Sequence, residues 1–348
     1  MNAAPVMSTP APAARAGSDG SASEPPDSGE EISLLRGWYR TMLLARAVDE
    51  LMWIAGAQGK AHFILTSRGH EAAQVASAAA LRPGYDYVFT YYRSMAAALQ
   101  LGVTPDDIFL SVLARRDDPF AGGRQLPNHF SVPRLPLPTV SSSVATHLPH
   151  AAGAGWAARV RGEDFVSVAY FGDGATAKGE FHEALTFAGI WKLPVIFFCE
   201  NNGLAISEPV ELESPAPIHL KAAGYGMHGV RVDGCDPLAV YGAMQAAVAR
   251  ARRGEGPALI EAEVVRLVAH SNADDQTTYR TAEELAAAQA RDPLPRLRAR
   301  LLQDGAPEAE LAEWARAARA AAETAFERAE QAPDPAAADA RSHLFSDA

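Results

Sequence analysis

The sequence predicts an α/β protein: a parallel sheet flanked by helices on both faces, with helical N- and C-terminal extensions. Two short apolar runs, FVSVAYF at 165–171 and PVIFFC at 194–199, carry most of this prediction. Strands buried on both faces read as such runs, whereas a half-exposed strand alternates apolar and polar side chains. Helical patterns separate and follow the runs, and strands alternating with helices assemble into a parallel sheet covered on both sides. Each run also leads straight into a polar, turn-forming segment, FGDGATAKGE and CENNGLAIS. Parallel sheets bind ligands beyond the carboxyl ends of their strands, so these segments mark the expected site.

Taken in order, residues 1–31 are rich in Ala, Ser, Pro and Gly and hold no apolar signal core. They also carry Asp19, Glu24, Asp27 and Glu30, which transit peptides avoid, so they read as a disordered tail. Over 32–58, Leu34, Leu35, Trp38, Met42, Leu43 and Val48 recur at helical spacing. A second helix over 69–81 stops before Arg82-Pro83-Gly84. Residues 126–138 hold four prolines and little periodicity, a loop long enough to expect a function of it. The α/β region follows: a helix at 151–159, the strand 165–171, a helix at 180–191 and the strand 194–199. A short strand at 230–232 precedes a helix with Asp236 as N-cap and Pro237 at its first position, ending at Gly254. A last strand is expected over 259–268. Beyond it Thr281 and Glu284 are spaced as a capping box at the head of an Ala-, Glu- and Arg-rich helical segment. The expected division is a tail (1–31), an α/β domain (32–280) and a helical extension (281–348), with no internal repeat.

With 48% hydrophobic and 21% charged residues among 348, the chain has the composition of an ordinary globular protein of one large or two modest domains. A formal net charge of −11 argues against nucleic acid as a partner, because phosphates require clustered Lys and Arg. No stretch approaches the ~20 apolar residues that span a bilayer. Cys199 and Cys235 lack the CxxC spacing of zinc or redox sites and read as free thiols in a reducing cytoplasm.

The chemistry concentrates in the two strand-end segments. Gly172 and Gly174 flank Asp173, permitting a tight turn and close backbone approach to a ligand. Between Gly174 and Asn201 lie 26 residues, which fits a loop, a crossover helix and a return strand and brings Asp173 beside Asn202. One carboxylate with one neutral amide oxygen is a weak all-protein metal site. It suits Mg²⁺ when phosphate oxygens complete the octahedron, so the inferred ligand is Mg²⁺ with a di- or triphosphate.

Gly-Asp-Gly followed at this spacing by Asn-Asn is similar to the cofactor motif of thiamine-diphosphate enzymes. The surrounding residues resemble the α subunit of the decarboxylating first component of 2-oxo acid dehydrogenase complexes. The resemblance runs over about 34–285 and includes GHEAAQVA, RPGYDYVF with YYR, GRQLPNH, SSSVATHLPHAAG and HSNADD. GRQLPNH and the Ser-Ser-x-x-Ala-Thr run look closer to branched-chain members than to those acting on pyruvate. Read residue by residue, the resemblance implies the thiamine-diphosphate-binding fold, with thiamine diphosphate and Mg²⁺ as cofactors. Asp173 and Asn202 would offer side-chain oxygens to the metal, and Leu204, where many relatives have Tyr, its carbonyl. Tyr92 and Arg93 would bind the diphosphate, Arg93 as a forked donor. Ser142 and the backbone around Val144 would meet the aminopyrimidine ring, and the cofactor set also takes in Ser143, Gly172, Gly174, Ala175, Thr176 and Ala205. His270, on a polar and turn-prone loop expected to be mobile, would stand beside the diphosphate as the catalytic imidazole. Phe63, Tyr92, Leu126, Pro127, Asn128, His129 and Ser142 would line the 2-oxo acid pocket. Ser143 replaces a common Pro, His147 a common Gln and Ala269 a second His of some relatives. A monovalent-cation site at that turn is therefore not expected, and the imidazole chemistry falls on His270.

The glutamate that activates thiamine lies, in this family, on a second domain for which a single α/β unit leaves no room. The resemblance therefore implies a β subunit, an assembly of two α with two β chains, and a lipoyl-bearing transacylase that accepts the acyl group. The substrate class it implies is a small 2-oxo acid, branched-chain by motif, with pyruvate or acetoin as alternatives. A different class, a cofactor-binding partner subunit inactive alone, overlaps with that reading. A nicotinamide oxidoreductase fits less well. Gly153-Ala154-Gly155-Trp156-Ala157-Ala158 matches a loose GxGxxA, but loop residues and Pro149 precede it instead of a strand. Its small residues read as a mid-helix surface that lets two helices approach, across a subunit interface. Plainer alternatives stand beside these roles: Arg93 as a surface ion pair, His129 as a loop histidine without a role and His270 as a capped core histidine. Tyr91 and Tyr92 then read as core aromatics.

Overall fold

The computed structural model describes residues 28–342. The chain opens with α1 (Ser28–Ala57) and α2 (Glu71–Ala79), then the first strand β1 (Tyr87–Phe89). Helices α3 (Met95–Gln100), α4 (Pro105–Val112) and α5 (His147–Arg161) precede β2 (Ser167–Gly172), α6 (Gly179–Trp191) and β3 (Val195–Asn201). A minimal hairpin, β4 (Leu204–Ala205) and β5 (Glu208–Pro209), leads to the single turn α7 (Val210–Glu213). Then come β6 (His228–Asp233), α8 (Pro237–Arg252) and β7 (Ala258–Glu263). The chain closes with α9 (Ala282–Ala290), α10 (Pro293–Gln303) and α11 (Glu308–Gln331).

Five strands form one sheet in the order β1-β2-β3-β7-β6, and every neighbouring pair is parallel. The apolar runs explain why it is covered on both sides. Val168 and Tyr170 of β2, Ile196 and Phe198 of β3, and Ile260 of β7 pack on one face with residues of α2, α3, α4 and α8. Ala169 and Phe171, Phe197 and Cys199, and Leu259 pack on the other with α5 and α6. Side chains alternate strictly between faces along a strand, so an all-apolar run has a core on each side. α10 and α11 are not a free-standing appendage. Leu297, Leu301 and Leu311 pack with Leu35, Trp38 and Met42 of α1, and Ala322 and Ala325 join the core where α11 packs on α1 and α4.

Several expectations are corrected. The first helix begins at Ser28, so residues 28–31 are helical; residues 1–27 of the expected tail lie outside the described residues. α5 begins at His147, and Pro149 sits inside its first turn, where a missing N–H costs nothing, and not before it. The last strand ends at Glu263, and 264–270 leaves the sheet. β1, α3 and α4 were not anticipated. Thr104-Pro105-Asp106-Asp107 caps α4 with Thr104 and Asp107 bonded reciprocally, a signal present in the sequence. Among the described residues no helix is long and apolar enough to cross a membrane.

The small residues of α5 serve the sheet. A Cβ on Gly155 would lie 2.4 Å from Val195 Cγ2, while one on Gly153 meets nothing within 4 Å. Within this chain the close approach is therefore helix on strand. We expect Gly155→Ala to destabilise the isolated chain by ~1–3 kcal/mol through overpacking. Gly153→Ala should stabilise it by up to ~1 kcal/mol through helix propensity. Chemical denaturation of both variants checks this; equal effects of the same sign would contradict it.

Candidate active site

The carboxyl ends of β1, β2 and β3 and the segment after β7 surround one cleft of about 480 Å³. Gly172 pairs with Glu200 in the β2–β3 register, so the turn after β2 meets the turn after β3. Asp173 begins a 3-10 turn over Asp173–Ala177 and is 1% exposed. Its Oδ1 accepts from the Asn202 backbone N–H at 3.3 Å, while Oδ2, on the cleft, meets no donor. Burial pushes its pKa up to about 6, and the nearby Glu213 carboxylate adds to the rise. Gly174 is required by contact and not by a left-handed backbone: a Cβ there would stand 2.7 Å from Ala205 Cβ. Asn202 Oδ1 accepts from the Leu204 N–H at 3.1 Å, and Leu204 and Ala205 continue the wall.

Arg93 is no surface ion pair. It is 3% exposed, donates from Nη1 to the Thr66 carbonyl at 2.7 Å and from Nη2 to His270 Nδ1 at 3.2 Å. Its guanidinium lies 5.4 Å from the Tyr92 ring centre, and no carboxylate among the described residues forms an ion pair with it. A guanidinium only donates, so His270 Nδ1 must be the lone-pair nitrogen and Nε2 carries the proton. Burial, then Arg93 and Arg266, hold the His270 pKa down to about 4. The imidazole on the cleft wall is neutral near pH 7.

The His270 loop is tied down more than its composition suggested. Asp274 accepts from the His270 N–H at 2.7 Å and from the Tyr279 hydroxyl, which in turn accepts from Arg266 at 2.8 Å. Asn272 bonds the Ile64 backbone N–H at 2.9 Å through Oδ1 and the Ile64 carbonyl at 3.1 Å through its own N–H. These bonds oppose the mobility expected from the sequence.

Most of the expected site residues meet at the cleft: Phe63, Tyr92, Arg93, Leu126, Ser142, Ser143 and Val144. Gly172, Asp173, Gly174, Ala175, Asn202, Leu204, Ala205 and His270 complete that group. Pro127, Asn128, His129 and Thr176 are not on its wall. Asn128 adopts φ 64° and turns its amide to the Leu65 carbonyl. His129 is buried beneath the loop, with Nδ1 on the Leu126 carbonyl at 2.8 Å and Nε2 on Ser142 Oγ at 2.8 Å. It holds Ser142 in place and is neither a lining residue nor a histidine without a role. Sequence reasoning missed Lys178, Glu213, Tyr91 and His147, which also line the cleft. Lys178 lay within the motif itself. Glu213 sits in an acidic stretch with no motif around it. His147 donates from Nε2 to the Tyr170 carbonyl, 2.8 Å away, and burial holds its pKa down to about 4.

The sequence profile of the dehydrogenase E1 component matches residues 39–338. The chain belongs to this family. It is 47% identical over 268 residues to the 2-oxoisovalerate dehydrogenase subunit alpha of Bacillus subtilis, covering 77% of this chain and 81% of that one. The 3-methyl-2-oxobutanoate dehydrogenase subunit alpha of Mycobacterium tuberculosis is 42% identical over 272 residues, 78% of this chain and 71% of its own length. The human mitochondrial 2-oxoisovalerate dehydrogenase subunit alpha is 37% identical over 300 residues, 85% and 67% of the two chains. E1 components imply thiamine diphosphate, and the cleft fits its charged end. Asp173 lacks a cation and Arg93 lacks an anion, and they face the same cleft. Among the described residues no three His, Cys, Asp or Glu side chains are grouped to hold a metal, so a cation here needs oxygens from a ligand.

The buried Asp173 has a consequence for the ligand-free chain. Its pKa is raised from 3.8 to about 6, so between those values the folded state binds more protons than the unfolded one. Stability therefore falls as pH rises through that window. Asp173→Asn should raise the melting temperature of the ligand-free E1 chain at pH 7, by up to about 3 kcal/mol in stability. The gain should vanish near pH 4. Thermal unfolding at both pH values tests this, and an equal gain at pH 4 would sink the electrostatic explanation.

Proposed function

We propose that the chain is the α subunit of a branched-chain 2-oxo acid dehydrogenase, holding Mg²⁺–thiamine diphosphate at an interface with a β subunit. The observation that carries this reading is the pair of unneutralised buried charges, Asp173 and Arg93, on one cleft. A divalent cation on a diphosphate satisfies both at once. Asp173 Oδ2, Asn202 Oδ1 and the Leu204 carbonyl would hold the metal. Arg93 and Tyr92 would hold the diphosphate, and His270 would donate from Nε2. Ser142, fixed by His129, and the backbone at Val144 would face the aminopyrimidine ring. Thiamine diphosphate, when bound, supplies the nucleophile and the electron sink that decarboxylation requires. Phe63 and Leu126 give the 2-oxo acid an apolar wall, which suits the substrates in the relatives' names.

A β subunit is supported by the rim. Leu126 is 48%, Val144 43% and Ile206 53% exposed, a set of apolar side chains around the cleft that a second chain would cover. That chain would bring the activating glutamate, in an assembly of two α and two β subunits serving a lipoyl-bearing transacylase. Both cysteines are free and buried, in keeping with the cytoplasm.

Reconstitution tests the proposal. The α chain alone, given Mg²⁺ and thiamine diphosphate, should decarboxylate no 2-oxo acid. With β it should turn over 3-methyl-2-oxobutanoate with a higher kcat/KM than pyruvate. Turnover by α alone at the rate of the pair would overturn the shared site, and a preference for pyruvate would overturn the substrate class.

His270 separates binding from transfer. As a neutral Nε2–H donor it would assist the acyl group's passage to lipoate, an effect worth ~10²–10⁴-fold for a positioned acid or base. His270→Ala should spare most cofactor affinity. It should lower NADH production by the whole complex far more than decarboxylation measured with an artificial electron acceptor. Equal losses in both assays would remove the transfer role.

A further inference from the structure

Two buried side chains, His70 and Glu200, stand behind the cleft without lining it. His70 precedes α2, directly after Gly69, whose φ is +95° and on which a Cβ would lie 2.1 Å from the Val265 carbonyl oxygen. Only glycine admits that approach, and it presses His70 against the end of β3. His70 and Glu200 are both fully buried. Glu200 Oε2 receives His70 Nδ1 at 2.6 Å, Gln74 Nε2 at 2.8 Å and the Tyr91 hydroxyl at 3.1 Å. On its far side His70 Nε2 lies 3.3 Å from Asn202 Nδ2.

The hydrogen-bond roles follow from both ends. A carboxylate only accepts, so His70 Nδ1 carries a proton toward Glu200. A backbone N–H only donates, so the oxygen of the Asn202 amide must face Leu204 N, and its nitrogen must face His70. Nε2 is then the lone-pair nitrogen that accepts from the amide. The two deductions start from different partners and agree.

We infer that Glu200 and His70 form a positioning relay that fixes the Asn202 amide so that its oxygen, and not its NH₂, is available to a cation in the cleft. The Leu204 N–H holds the amide's oxygen end and His70 its nitrogen end, so that a flip would break both contacts and turn N–H dipoles toward the metal. The relay removes that choice before any ligand arrives, as partners behind a metal ligand commonly do. His70 and Glu200 touch neither cofactor nor substrate in this arrangement. The inference rests on the reading of Asn202 as a metal ligand.

The test is a double-mutant cycle on the assembled α and β chains, reading Mg²⁺ affinity by calorimetry at saturating thiamine diphosphate. His70→Leu should weaken Mg²⁺ binding roughly 10–100-fold. Asn202→Asp carries an oxygen at either end, so on that background most of the loss caused by His70→Leu should disappear. Equal losses on both backgrounds, or none in the original chain, would overturn the relay. Full Mg²⁺ affinity in Asn202→Ala would instead overturn the metal assignment on which it rests. Should His70→Leu not fold, ¹⁵N NMR of the histidine-labelled original chain decides the matter. A bare Nε2 on His70 is expected, and a proton there would overturn the relay.

Discussion

β2 carries Asp173 to the carboxyl edge of the sheet, where one of its oxygens meets a backbone N–H and the other meets nothing. An ion held in that way is costly, because desolvation is not offset by a partner. Arg93 repeats the situation with the opposite sign. Its donors go to a carbonyl and to an imidazole, neither of which neutralises it. The two charges are kept apart by the elements that deliver them, Asp173 by the turn after β2 and Arg93 by the segment after β1. They do not collapse into an ion pair because each backbone is fixed independently. A cleft that holds a buried anion and a buried cation suits a ligand carrying charge of both signs.

Keeping the charges apart depends on the rigidity of the sheet. β2 and β3 are buried on both faces, and their register sets Gly172 opposite Glu200, so the positions of Asp173 and Asn202 follow from strand pairing and not from loop conformation. Gly155 lets α5 lie directly on β3, and α2 and α8 pack against the other face. The cleft's rim is exposed and apolar at Leu126, Val144 and Ile206, where a second chain rather than this one would supply the packing.

What the sequence made legible is what depends on local pattern. The runs ending at Phe171 and Cys199 announced doubly buried strands, and the Gly174–Asn201 spacing announced their adjacency. β1 was hidden because three residues carry no period. Gly174 was legible as a glycine, but its reason, a contact with Ala205, lies 31 positions away in sequence and depends on the hairpin after β3. The GRQLPNH segment misled in part. Its motif marked the cleft correctly at Leu126, yet a left-handed Asn128 turns the chain so that His129 points inward to Ser142. His70 and Glu200 lie within the GHEAAQVA and CENNGLAIS segments, but their contact spans 130 positions and no spacing rule reaches it.

The state of His270 follows from Arg93. So long as a guanidinium N–H occupies Nδ1, the imidazole can offer the cleft only an Nε2 proton, and it enters the site as a donor. A base role would require Arg93 to release Nδ1 or the ring to lose that proton, and burial beside two arginines already disfavours the alternative of a doubly protonated ring. An anion drawn to Arg93 works against that last effect, since it offsets the positive field that holds the His270 pKa down.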